Sequence, residues 1–180
     1  MVVLWILGEG KSGKSELAEA IFSLLPGEKF YIGTLPRTDK WMETIRKHAK
    51  RRPKEWKLIE NEDSLNNATN IIRKYKYKGK KVAFLLDGWG VYVERRILKN
   101  NVHTEKIIKE VYTEYQQLMK ISNYLIVVAH ISLYSLKSSV HKGDKISYIA
   151  KTITRHCIAK AEKIIYHGLE NISHKDRRIY

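Results

Sequence analysis

Read for polarity alone, the chain alternates between short apolar runs and longer stretches in which apolar residues return every third or fourth position. VVLWIL (2–7), KFYIGT (29–34), KVAFLL (81–86), YLIVVA (124–129) and KIIYH (163–167) are rich in β-branched and aromatic side chains, and several are apolar on both faces. Such a strand has to be covered on both sides, which is the place of a strand in a parallel sheet between helix layers. Leu17, Ala18, Ile21, Phe22, Leu24 and Leu25 recur at helical spacing. So do Ile107, Ile108, Val111, Tyr115, Leu118 and Met119, and then Ile146, Ile149, Ala150, Ile153, Cys157 and Ala161. Thr104 is placed to cap the second of these helices. Strands alternating with helices predict right-handed βαβ units, and therefore an α/β fold of three layers around a mostly parallel central sheet. GEKF, YKGKK and HKGDK read as turns, and there is no linker or internal repeat, so residues 1–180 are expected to form one domain.

Composition changes this picture only in its charge. Hydrophobic residues make up 43% of the chain and charged ones 29%, which excludes a disordered or fibrous chain. Thirty-four Lys and Arg against 19 Asp and Glu leave +15. That excess suits polyanions: nucleotides, nucleic acid or an anionic membrane surface. Lysines outnumber arginines, however, and scattered lysines also read as solvated helix faces. The lone cysteine, Cys157, cannot form an internal disulfide and lies on an apolar helix stripe, where packing is its expected role. VVLWIL is too short for a signal sequence or a membrane span, so the expected compartment is the cytoplasm.

The first candidate chemistry follows the first strand. Gly8-Glu9-Gly10-Lys11-Ser12-Gly13-Lys14-Ser15 matches G-x-x-x-x-G-K-[ST], between a predicted strand and a predicted helix. Glycines let the backbone curl so that successive N–H groups converge on phosphate oxygens, and the helix adds its positive end. Lys14 is expected to reach the β and γ phosphates of ATP or GTP, and the Ser15 hydroxyl to ligate Mg²⁺. A phosphoryl-transfer site of this kind also wants an acid at the end of a second buried strand. Asp87 closes VAFLLD and fits that metal-side role, although Gly88 follows it directly and an Asp-Gly pair also forms turns.

The second candidate lies in residues 38–60. Eight basic and two acidic residues fall between Lys40 and Lys57, with His48 among them. Neighbouring cations disfavour an imidazolium, so His48 is expected to be neutral and able to act as a nucleophile beside arginines that hold phosphates. It also reads as an ordinary surface histidine on a charged helix that Pro53 ends. A third reading makes the segment a nucleic-acid patch, with Trp41 and Trp56 for stacking and 73–81 able to extend it, although 73–81 reads first as a solvated helix end and a turn leading into the Asp87 strand. The chain contains no recognised nucleic-acid module, which places that reading last.

In order and spacing these features resemble the bifunctional adenosylcobinamide kinase / adenosylcobinamide-phosphate guanylyltransferase family of cobalamin assembly. The family carries an N-terminal phosphate loop, a Tyr-Ile-Ala-Thr strand, an Asp, an Arg-Ile-x-x-His-x-x-x-Arg-Pro-x-x-Trp segment ending in Glu, and a strand closing in an acid. Here the matching residues are Gly8 to Ser15, Tyr31-Ile32-Gly33-Thr34, Asp39, Met42, Ile45, His48, Arg52-Pro53, Trp56, Glu60 and Asp87. The resemblance implies two steps. A nucleoside triphosphate held at Lys14 and Ser15 phosphorylates adenosylcobinamide; GTP then transfers GMP to His48, from which adenosylcobinamide phosphate takes it. It further implies Thr34, Arg52 and Glu60 as nucleotide-binding residues, His48, Lys14 and Asp87 as catalytic ones, and a homotrimer. Four places depart from the pattern. The family's Asn-Glu-Val-Gly segment reads Ala129-His130-Ile131-Ser132, and Thr44, Trp41 and Arg95 stand where the family has Arg, Glu and Asn. His130 and Tyr134, in or beside the altered segment, could line a pocket or pack a loop. A P-loop kinase acting on another small molecule remains the alternative, and a nucleic-acid-binding ATPase the last.

Overall fold

A computed structural model describes residues 1–60, 63–76, 79–99, 104–133 and 145–168. The chain runs β1 (Val2–Gly8), α1 (Lys14–Leu24), β2 (Glu28–Gly33), α2 (Asp39–Arg51), β3 (Lys57–Glu60), α3 (Leu65–Lys76), β4 (Val82–Asp87), α4 (Trp89–Lys99), α5 (Thr104–Ile121), β5 (Tyr124–His130), a 3₁₀ turn (Ile131–Leu133), α6 (Lys145–Ile158) and β6 (Lys163–His167). The six strands form one sheet in the order β3-β2-β4-β5-β1-β6, and every pairing is parallel. The phosphate-loop strand β1 is thus separated from the Asp87 strand β4 by β5 alone. All the loops that could carry chemistry emerge at the carboxyl end of this sheet. Tyr134 and residues 141–144 of the HKGDK turn lie outside the described residues.

The strand alternation decides which side chains meet which helix layer. Val3, Trp5 and Leu7 of β1, Phe84 and Leu86 of β4, and Leu125 and Val127 of β5 pack in one apolar core with residues of α3, α4, α5 and α6. Ile6, Ala83, Leu85, Ile126 and Val128 face the other way, onto Ala18 and Phe22 of α1 and onto Trp56. Both faces are covered, as strands apolar on both sides require. Burial forces the tryptophan N–H groups to find partners. Trp5 Nε1 donates to the Tyr115 hydroxyl at 3.1 Å, and Trp89 Nε1 to Thr154 Oγ1 at 2.9 Å. Cys157 is buried in this core, where desolvation pushes its thiol up, away from the reactive thiolate.

β3 and α4 have no counterpart among the predicted elements, and of α3 only the helix end read at 73–81 was expected. α3 starts with polar residues of weak helix propensity, and its first amides are satisfied by Ser64 Oγ and by the distant Glu114 carboxylate, which takes the Leu65 N–H at 2.8 Å. Arg96 Nη2 at 2.9 Å and the Tyr92 hydroxyl at 2.6 Å hold the same Glu114 in place.

At the far edge, Glu28 at the start of β2 binds Lys57 of β3 and, at 2.7 Å, Lys80 before β4. Those hydrogen bonds hold its carboxyl down to about 2. A carboxyl depressed in the folded state adds stability above its ordinary value of about 4.3 and loses it as the pH falls through the folded value. Glu28→Gln should therefore be less stable than the wild type at neutral pH. The deficit should vanish near pH 2 in denaturant titrations and shrink in high salt, because the carboxylate is partly exposed.

Candidate active site

β1 ends at Gly8, and the next residues curl before α1 begins at Lys14. Lys11 (φ 59°) and Gly13 (φ 84°) are both left-handed, which turns successive amides inward. Gly8 has no room for a side chain: a Cβ there would lie 2.6 Å from Ser12 Oγ and 2.7 Å from the His167 carbonyl oxygen. Glu9, Gly10 and Lys11 form the exposed crest, while the Ser12 hydroxyl is buried beneath it with no hydrogen-bond partner among the described residues. Lys14 folds back over the loop, its Nζ donating to the Glu9 carbonyl at 2.7 Å. Desolvation pulls its ammonium below the usual lysine value, although Asp87 and Glu16 pull the other way.

Asp87, at the end of fully buried β4, is where the elements converge. Ser15 Oγ on α1 donates to its Oδ1 at 3.2 Å, and the Tyr31 hydroxyl on β2 donates to its Oδ2 at 2.9 Å. Burial works against its charge, but His48, Tyr31 and Ser15 together outweigh that cost and hold the carboxyl below its ordinary value. The pair Ser15–Asp87 offers a hydroxyl and an ionised carboxylate beside the phosphate loop, the hard oxygen donors Mg²⁺ takes. Asp87→Asn should keep the shape and lose the charge. Affinity for Mn²⁺ in the presence of tripolyphosphate should then fall about tenfold to a hundredfold, measured by electron paramagnetic resonance.

α2 brings His48 to the same point. Its Nδ1 lies 3.5 Å from Asp87 Oδ2 and 3.7 Å from Glu19 Oε1, and its side chain is 15% exposed. This corrects the surroundings expected from sequence: the charges nearest the ring are two carboxylates, so the argument from neighbouring cations to a neutral ring does not hold. Several basic residues of the segment pair with carboxylates. Arg51 pairs with Glu16 and, at 3.1 Å, with Glu19; Lys47 pairs with Glu43. Arg52 lies over the Tyr31 ring, 3.4 Å from its centroid, with its Nε 3.7 Å from Glu19 Oε1. On its open side His48 lines a shallow pocket with Arg37, Arg52, Tyr31, Gly33, Leu35 and Ile45.

The remaining sequence candidates divide. Thr34 is fully buried and spends its hydroxyl on the carbonyls of Gly88 (2.7 Å) and Asp87 (3.2 Å), so it ties β2 to β4. Glu60 ends β3, and its side chain lies outside what the structure describes. Trp56 is 4% exposed and meets Phe22 edge-on at 4.8 Å, which removes it as a nucleic-acid stacking platform. Arg95 donates to the Thr34 carbonyl at 2.9 Å and pairs with Asp63. In the altered segment His130 ends β5, with Nδ1 2.8 Å from Ser132 Oγ. Two residues here escaped sequence reasoning. Tyr31 looked like one more apolar strand position. Glu19 carried a signal, since it is a carboxylate beside the apolar stripe of α1.

A parallel sheet with a glycine-rich loop running from β1 into α1, facing an acid at the end of β4, defines a P-loop nucleotide-binding α/β protein. Residues 4–166 match the family described as cobinamide kinase / cobinamide phosphate guanyltransferase, and the chain belongs to that family. No curated protein matches the chain. Among solved structures it is similar to a prototypical ATPase from the type III secretion system of pathogenic bacteria, with TM-score 0.61 and 12% identity over 92% of this chain and 50% of that one. It is also similar to the assembled ATPase EscN from the enteropathogenic E. coli type III secretion system, with TM-score 0.57 and 13% identity over 84% of this chain and 41% of that one. The chain thus spans half or less of these relatives, and at such identities the likeness is one of fold. Among the described residues no helix is long and apolar enough to cross a membrane.

Proposed function

We propose that this chain is a nucleotide-dependent transferase of cobalamin assembly that phosphorylates adenosylcobinamide and then passes GMP from GTP, through His48, to adenosylcobinamide phosphate. One observation carries this reading: His48, Asp87 and Ser15, from three separate elements, meet within hydrogen-bonding or ion-pair reach beside the Lys14 loop. In the kinase step Lys14 and the loop amides grip the triphosphate and Lys14 steadies the charge that builds on the leaving phosphate. Mg²⁺, held by Ser15 and Asp87, would neutralise the phosphate oxygens. In the transfer step a histidine nitrogen attacks the α-phosphorus of GTP; a P–N bond forms, the bond to the bridging oxygen breaks, and pyrophosphate leaves. An oxygen of adenosylcobinamide phosphate then displaces the imidazole and gives adenosylcobinamide-GDP. Nδ1 is turned to Glu19 and Asp87, which leaves Nε2 for phosphorus. Arg37 and Arg52, lining the pocket at His48, suit the phosphates of that second pose. A homotrimer, as the resemblance implies, working in the cytoplasm completes the reading.

GTP radiolabelled at its α-phosphate should label the purified protein, and the label should fall off in acid and survive alkali, as a phosphoramidate does. No label, or an acid-stable one, would overturn the covalent step. A second reading, a kinase with another acceptor and no guanylyl transfer, draws on the altered segment, where His130 and Ser132 bond to each other and no acid stands. ADP release stimulated by a different alcohol and not by the corrinoid would favour it.

A further inference from the structure

The edge strand β6 ends in a residue that the mechanism above does not use. Parallel register sets Gly8 of β1 beside His167 of β6 and, on the other flank, beside His130 of β5. Alternation along β6 puts His167 on the same face as Ile165, which packs on the core beneath α1. Its ring therefore arrives at the phosphate loop from the side opposite β5. Nε2 lies 3.3 Å from where a Cβ on Gly13 would stand, so the imidazole rests against the residue that opens α1. The position is fixed by backbone. The His167 carbonyl closes over Gly8, and the chain leaves through Gly168 at φ 70°, where a Cβ would lie 2.7 Å from Ser12 Cβ. His130, by contrast, is exposed and turns its Nδ1 to Ser132.

The sheet order gives this placement a direction. In the sequence β4-β5-β1-β6 the Ser15–Asp87 pair marks the β4 side of the loop and His167 the β6 side. A triphosphate laid across the loop with its terminal phosphate toward Ser15 and Asp87 must bring its sugar and base out on the β6 side. We propose that the imidazole of His167 is a substrate contact for the nucleoside end of the triphosphate in the phosphoryl-transfer pose. The proposal rests on the phosphate-loop reading and goes beyond it. It also separates the two poses, because attack by His48 on an α-phosphorus needs the nucleoside on the β4 side, at the Arg37–Arg52 pocket.

The test compares two ligands on wild type and His167→Ala by calorimetry. Magnesium tripolyphosphate probes the loop alone; the magnesium imido analogues of ATP and GTP add a nucleoside. The variant should bind the analogues about tenfold more weakly, the effect of losing one aromatic contact to a base, and tripolyphosphate as the wild type does. Equal weakening of both ligands would mean that the loop itself was disturbed, and unchanged binding of both would mean that His167 touches nothing; either result overturns the proposal. Failure of the wild type to bind tripolyphosphate would instead bring down the phosphate-loop assignment, and the proposal with it. His48 labelling by GTP, followed on both proteins, reports the transfer reading independently.

Discussion

Replacing His48 with alanine should leave no acid-labile label on the protein and cut GMP transfer by at least about a thousandfold, the scale on which a covalent nucleophile is missed. The fold should survive the change. The ring touches Asp87 and Glu19 only at 3.5 and 3.7 Å, Asp87 keeps Tyr31 and Ser15, and Glu19 keeps Arg51. Truncation nevertheless takes from Asp87 the largest of the interactions that favour its charge and leaves it two hydroxyl partners, so denaturation midpoints should fall modestly at neutral pH. The loop is untouched, so magnesium tripolyphosphate should still bind. If the variant takes up as much label as the wild type, the nucleophile is another group and the carboxylate-flanked histidine serves some other end.

Lys14→Ala should lower phosphoryl transfer on the order of a thousandfold, as when a donor aimed at developing negative charge is removed. The ammonium is half-buried, and burial pulls its pKa below the usual lysine value, so it gains from a phosphate an interaction that water would have weakened. Among the described residues its hydrogen-bond partner is the Glu9 carbonyl, which a ligand would displace. Stability should change by no more than about 0.5 kcal/mol, since the substitution removes no core contact. Lys14→Arg should not rescue activity, because a planar guanidinium cannot occupy the space of a compact ammonium under a glycine turn. A rise in KM with kcat intact would show that Lys14 binds the ground and transition states equally and adds nothing to the chemical step.

The strands and the phosphate loop were legible because both depend on local rules. The run of apolar residues from Val82 to Leu86 has to be a doubly covered strand, and a glycine at position 8 or 13 has to be a bend. Where neighbours come from afar, local rules fail. α3 depends on Glu114, which lies 49 residues from Leu65, and α4 starts straight after Gly88 with Trp89 already in the core. The surroundings of His48 failed for the same reason. Charges along α2 are written in its own sequence, whereas Glu19 and Asp87 reach the ring from α1 and β4. The motif that singles out His48 was legible all the same, because its spacing from Arg52 and Trp56 is a property of one continuous segment.

Glu19 sits one turn beyond the glycine-rich loop on the helix that the loop opens, and it clasps His48 and Arg51 of α2 and Arg52 just after it. The candidate cradle and the histidine's carboxylate partner therefore stand on one helix, which sets the spacing between them.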